Sequence, residues 1–347
     1  MREPLGRLAP LLALLIASRS TGAQAAPKQA SAPPPEPAIA GWSDPTPHRA
    51  GFISISRNVR LHYLDFGGSG PPLVFLAGLG NTAHAWDNFA PRFTDRFHVI
   101  AITRRGFGES SHPDDYELDT RVNDIRRVLD ALHLDRASLV GHSIAGEELT
   151  RFAARFPNRV EKLVYLDAAY DRLAMDSLVD ITFTGPMDLP SMPQPNAADT
   201  ATPPAYVAFV HRTRGVNIPE ADIRARLAYD GAEETATFAY HEVGADVEHP
   251  RYREVRAPAL AIYAVTDSVD QGEPWVRADT ARRANEQLYL NKIAPVYAFS
   301  RAQFKREVRR GRVLEIHGGH HWIFLSHADQ VARAMREFLL TGFSSSS

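Results

Sequence analysis

Between Leu73 and His317 the chain repeats one pattern: a short, nearly unbroken apolar run, then a stretch whose apolar residues recur at helical spacing. The runs are Leu73–Ala77, Phe97–Thr103, Ala137–Gly141, Val160–Asp167, Ala259–Val265 and Arg312–His317. Strands apolar on both faces belong in a sheet covered on both sides, and the intervening helices supply the cover. The pattern therefore predicts an α/β fold with a mostly parallel central sheet flanked by helices. Phe52–Ser56 and Val59–Phe66 precede it as further β-type runs, and the turn Gly67–Pro72 separates the second from Leu73. Ala83–Phe93 reads as a helix. Val122, Ile125, Val128, Leu129 and Leu132 mark one face of another, and Leu149, Phe152, Ala153 and Phe156 the buried stripe of a third that Pro157 ends.

One segment breaks the rhythm. Residues 168–256 hold a cluster of prolines between Pro186 and Pro204 and helix-like patches, but no strand. They read as a helical cap inserted over the carboxyl ends of the strands, where open parallel sheets bind their ligands.

The ends carry little core. Arg2 and Arg7 precede an apolar run from Leu8 to Ala17, and Ala23-Gln24-Ala25 offers small residues for cleavage, so residues 1–25 are expected to be a signal peptide of a secreted or periplasmic protein. The run is too short for a membrane span, which needs about 20 apolar residues. Residues 26–50 are proline-dense and read as a linker, 51–342 as the folded domain and 343–347 as a serine tail. The chain has no cysteine, and a core drawn from 347 residues does not need disulfides. With 39 basic against 41 acidic residues nothing draws it to nucleic acid or an anionic membrane, and the expected partner is a small molecule; the oligomeric state is left open.

Against this frame Gly141-His142-Ser143-Ile144-Ala145-Gly146 stands out, because a buried strand precedes it and an amphipathic helix follows. A serine flanked by small residues at such a junction is the setting of a nucleophile elbow, in which strained backbone pushes the hydroxyl into the open. A serine hydroxyl needs a base, a carboxylate to orient that base, and donors for the oxyanion. Asp267 follows the strand ending at Val265, and His321 lies in "GGHHWIFL" after the strand ending at His317. Asp167, at the end of an earlier strand, is the alternative carboxylate. The adjacent His320 is the other candidate base at that point. The Leu79 amide in "LAGLG" and the Ile144 amide at the helix start are the candidate oxyanion donors.

These motifs together resemble the α/β-hydrolase superfamily of serine hydrolases, in its carboxylesterase or proline-iminopeptidase-like branch. "LAGLG" is similar to that family's H-G-x-G turn, "TRRGFGES" (Thr103–Ser110) to its D-x-R-G-x-G-x-S loop, "GHSIAG" to its elbow and "HHWIFLSHADQV" to its histidine segment. Ala77 and Thr103 depart from the usual histidine and aspartate. The resemblance covers about Phe52 to Leu340 and implies the α/β-hydrolase fold with a helical cap and no cofactor. It also implies a catalytic set of Ser143, Asp267 and His321 that cleaves an ester, with the proline-releasing aminopeptidase as alternative. That alternative needs an acidic recess, for which Asp230, Glu233 and Glu234 are candidates. A binding protein that kept the fold is the non-enzymatic alternative. His317, His320, His321 and His327 straddle a strand end without metal-site spacing, so no metal is expected, and "RRGFGES" lacks both phosphate-binding glycine patterns. Glu147, in the first turn of the helix after Ser143, is expected to complement the helix dipole and to meet Arg151 one turn on.

Overall fold

The computed structural model describes residues 42–175, 193–229, 233–278 and 280–341. Eight strands form one sheet: β1 (Arg49–Ser54), β2 (Arg60–Gly67), β3 (Pro72–Leu76), β4 (His98–Ile102), β5 (Ala137–His142), β6 (Val160–Leu166), β7 (Ala259–Val265) and β8 (Gly311–His317), ordered 1-2-4-3-5-6-7-8. The first two strands join antiparallel, and every pair from β4 onward is parallel. The expected mostly parallel sheet is therefore present, with an antiparallel edge. The central strands owe their place to their apolar runs: β5 is buried at all six positions.

Helices α1 (Leu118–Ala131) and α2 (Ala145–Arg155) pack on one face of the sheet, where Val122, Ile125, Leu149 and Phe152 join Val74, Leu139 and Tyr165 in one core. On the other face Leu73, Phe75, Val140 and Ile262 meet Trp86, Phe89 and Phe93, together with Val331, Met335 and Phe338 of the C-terminal helix.

The inserted region is helical among its described residues: α3 (Pro203–Arg214), α4 (Glu220–Tyr229) and α5 (Glu233–Ala245). Thr202 caps α3 by accepting the Ala205 N–H, and Gly215 ends it at φ 77°, a left-handed conformation that suits glycine. A long helix, α6 (Thr280–Glu307), follows β7, and α7 (Ala328–Thr341) closes the chain.

Three expectations change in detail. Ala83–Phe93 forms two 3₁₀ turns, Ala83–Trp86 and Ala90–Phe93, because Pro91 cannot donate to a continuing helix. The strand β1 begins at Arg49, inside the stretch read as linker. Arg151 pairs with Asp119 at 2.6 Å and Glu248 at 3.2 Å, leaving Glu147 buried at 3.5 Å from Arg172. Residues 1–41 and 342–347, and with them the segment read as a signal peptide, most of the expected linker and the tail, lie outside the described residues, as do Asp230 and the side chains of Glu233 and Glu234.

Candidate active site

At the end of β5 the chain turns sharply. Ser143 sits at φ 56°, a left-handed conformation that costs a non-glycine residue on the order of 1–2 kcal/mol, and the turn is held by Ser143 N–H to Leu166 C=O and Gly146 N–H to Ser143 C=O. The small neighbours are obligatory. A Cβ on Gly146 would stand 1.8 Å from the Ala168 carbonyl oxygen, and one on Gly141 would stand 2.9 Å from Leu149 Cδ1. Ala145 is fully buried, so one methyl fits where the stricter motif has glycine.

The imidazole of His321 meets this serine. Its Nε2 lies 2.9 Å from Ser143 Oγ and its Nδ1 lies 2.6 Å from Asp167 Oδ2. The other carboxylate oxygen of Asp167 accepts the Ala264 N–H at 3.0 Å and the Tyr170 hydroxyl.

The carboxylate expected from Asp267 is thus corrected to Asp167. Asp267 instead pairs with His317 Nδ1 at 2.6 Å, and both side chains are more than half exposed. The reason is the order of the sheet. β6 lies directly beside β5, with Leu166 opposite His142, whereas β7 stands one strand further out and carries Asp267 next to β8. His320 is also set apart from Ser143: its Nε2 is 2.6 Å from Glu273 Oε1 and its ring stacks on Trp322. Burial raises the Glu273 carboxyl, but the His320 bond and the nearby Arg214 charge outweigh it and hold the group below its usual range.

On the opposite side of Ser143 lies the turn after β3. A Cβ on Gly78 would stand 2.8 Å from His142 Nδ1, so the backbone passes that ring at a distance only glycine allows. Arg104 grips this turn from behind, donating to the carbonyls of Ala77 at 2.9 Å and Gly78 at 3.3 Å while its Nη2 bonds Glu148 at 2.8 Å. In a trans peptide the C=O and N–H point opposite ways. Pulling the Gly78 carbonyl toward Arg104 therefore turns the Leu79 N–H away from it. Ile144, the other expected donor, begins α2, where free N–H groups and the helix dipole favour negative charge. Among the described residues neither amide hydrogen-bonds to another protein group.

Several contributors were not visible as such in the sequence. His142 is fully buried, and burial with the neighbouring His321 pushes its pKa well below the usual histidine range. Its neutral ring donates from Nε2 to the His321 carbonyl at 3.0 Å and fixes the loop that carries His321. Arg104 lies in the conspicuous "TRRGFGES" loop, but its grip on the Ala77–Gly78 turn depends on β4 lying beside β3. From the cap, Asp222 on α4 accepts Asn81 Nδ2, Thr82 N–H and the Thr82 hydroxyl, all at 2.8 Å, tying the cap to the same turn.

Comparison with known proteins adds the following. A model of the alpha/beta hydrolase fold matches residues 71–205. A 2-hydroxy-6-oxo-2,4-heptadienoate hydrolase of Pseudomonas putida is 39% identical over 106 residues, 29% of this chain and 38% of that one. Epoxide hydrolase 1 of Caenorhabditis elegans is 34% identical over 117 residues, 33% of this chain and 29% of that one. The match thus covers well under two thirds of each curated relative's length, and about 30% of some. In three dimensions it is similar to a probable hydrolytic enzyme of Pseudomonas aeruginosa, with a TM-score of 0.59 at 19% identity, covering 87% of this chain and 96% of that one. The strand order, the left-handed turn at Ser143 and these likenesses make the chain an α/β-hydrolase-fold protein.

Proposed function

We propose that the protein is a serine hydrolase that cleaves a carboxylic ester through an acyl-enzyme on Ser143. The single observation that carries this reading is the unbroken relay from Ser143 Oγ to His321 Nε2, 2.9 Å, and from His321 Nδ1 to Asp167, 2.6 Å. His321 takes the hydroxyl proton as Oγ bonds to the ester carbonyl carbon, then gives it to the departing alcohol. Asp167 accepts a hydrogen bond from the Nδ1–H and so holds the tautomer that presents a bare Nε2 to the serine. The N–H groups of Leu79 and Ile144 stabilise the tetrahedral oxyanion. Water then attacks the acyl-enzyme by the same route in reverse. A serine at the elbow sets this chemistry apart from epoxide opening by a nucleophilic carboxylate, and the name of one relative does not carry over.

The test is Ser143→Ala. The alanine methyl fits the turn but cannot be acylated, so hydrolysis of p-nitrophenyl esters falls by about 10⁴-fold or more, and fluorophosphonate labelling disappears. Turnover at the parental rate by the purified variant would remove Ser143 from the reaction. The export proposal rests on residues 1–25 and predicts a mature N-terminus at Ala26, which mass spectrometry of the exported fraction reads directly; an intact Met1 there refutes it.

A further inference from the structure

A second polar cluster lies apart from the serine, where the segment before β1 folds onto the turn after β3. Asp44 and His48 come from that segment and His84 and Asp87 from the 3₁₀ turn. The His84 Nδ1 is 3.0 Å from Asp87 Oδ2 and 3.1 Å from Asp44 Oδ2. The ligating atoms of Asp44, His48 and His84 all lie within 4.8 Å of one another, and the His48 and His84 rings are 5.3 Å apart at 69°. The Asp87 side chain is 2% exposed, and its Oδ1 has no hydrogen-bond partner among the described residues.

This is an awkward arrangement for protons alone. A single Nδ1 carries one proton and can donate it along one line, yet two carboxylate oxygens converge on it. One divalent cation at that point would meet both oxygens and the nitrogen, and its charge would offset both carboxylates. The spacing suits it, because a tetrahedral ion with bonds of about 2.0–2.1 Å separates its donor atoms by roughly 3.3 Å. Two imidazoles with two carboxylates favour a transition ion of the zinc class over magnesium or calcium, which prefer oxygen alone.

We propose that Asp44, His48, His84 and Asp87 bind one divalent transition-metal ion, which clasps the segment before β1 to the turn after β3. The site is distinct from the histidines around β8, and from the serine site: His62, whose imidazole is 5.8 Å from that of His84, lies on β2, three strands from β5.

The experiment uses the full chain, stripped with a chelator and reloaded with zinc or cobalt alone. About one equivalent should be retained through dialysis, with Co(II) giving the visible ligand-field bands of four-coordinate N/O ligation and zinc raising the melting temperature. The double variant Asp44→Asn, His48→Gln alters two partly exposed residues outside the core. It should bind zinc at least about 100-fold more weakly, lose the zinc-dependent rise in melting temperature and keep parental ester turnover. Retention of less than about a tenth of an equivalent by the parent, or parental zinc affinity in the folded double variant, overturns the site. Binding at parental stoichiometry with an unchanged melting temperature overturns the clasp.

Discussion

Asp167 gathers three donors: the Ala264 N–H, the Tyr170 hydroxyl and the His321 ring. An amide in its place would present an NH₂ to one of them and favour the wrong imidazole tautomer. Asp167→Asn should lower kcat by about 10⁴-fold, while Asp267→Asn, at the exposed His317 pair, stays within roughly twofold. Both aspartates follow a buried apolar strand, so their local sequence signals are alike, and what separates them is which strand lies beside β5. That information is non-local, and so the meeting of Ser143 with His321 was legible from their neighbours, while which aspartate meets His321 was not. Glu147 offers a second test at this scale. Burial raises its pKa to about 8, from an ordinary 4.5. The folded protein then keeps a proton that the unfolded chain releases, so the stability linked to this group is full below pH 4.5 and lost as pH rises through 8. Urea midpoints of the parent should fall between pH 5 and pH 9 relative to those of Glu147→Gln, by on the order of 4 kcal/mol in unfolding free energy. Parallel midpoints across that range would show that the carboxyl is not protonated in the folded state.

The strands were the most legible elements, because an apolar run of five to seven residues has few other places to go in a chain of this kind. β7, Ala259–Val265, has the bounds its sequence predicts. The less legible elements are those with no simple period. The helix α6 carries Pro295 within it and mixes charged and apolar residues around its circumference, so no single face announces it. Between β3 and β4, the burial of Trp86, Phe89 and Phe93 mimics a helical stripe, yet each of these rings packs on Phe75 from short turns. The junction of β5 with α2 makes a sharp prediction. In Gly146→Ala the new methyl would overlap the Ala168 carbonyl, so the helix must withdraw from the end of β6. That should cost about 3 kcal/mol or more in urea unfolding, far beyond the few tenths expected of alanine in an open helix. A neutral or stabilising result would contradict the close approach.

At the scale of the whole molecule, one buried carboxylate ties the cap to the turn after β3. Asp222 reaches from α4 to Asn81 and Thr82, the residues that follow the Gly78–Leu79 turn. If that turn supplies the oxyanion donor, Asp222→Ala should lower kcat by roughly tenfold or more, each lost bond to the carboxylate being worth about 1.5–3 kcal/mol. The parent's rate of fluorophosphonate labelling relative to ester turnover is the control, and an unchanged kcat in the folded variant would make the contact purely structural. The position of Asp167 has a consequence for recombination. It is the last residue before the inserted helices, and its Oδ1 is held by Tyr170, three residues into the insertion. A foreign cap grafted at the boundary between β6 and the insertion would carry away the hydroxyl that steadies the acid. One spliced after Tyr170 would leave the acid's surroundings whole, so lineages or engineers exchanging caps to change substrate have a usable crossover point there, and a hazardous one three residues earlier.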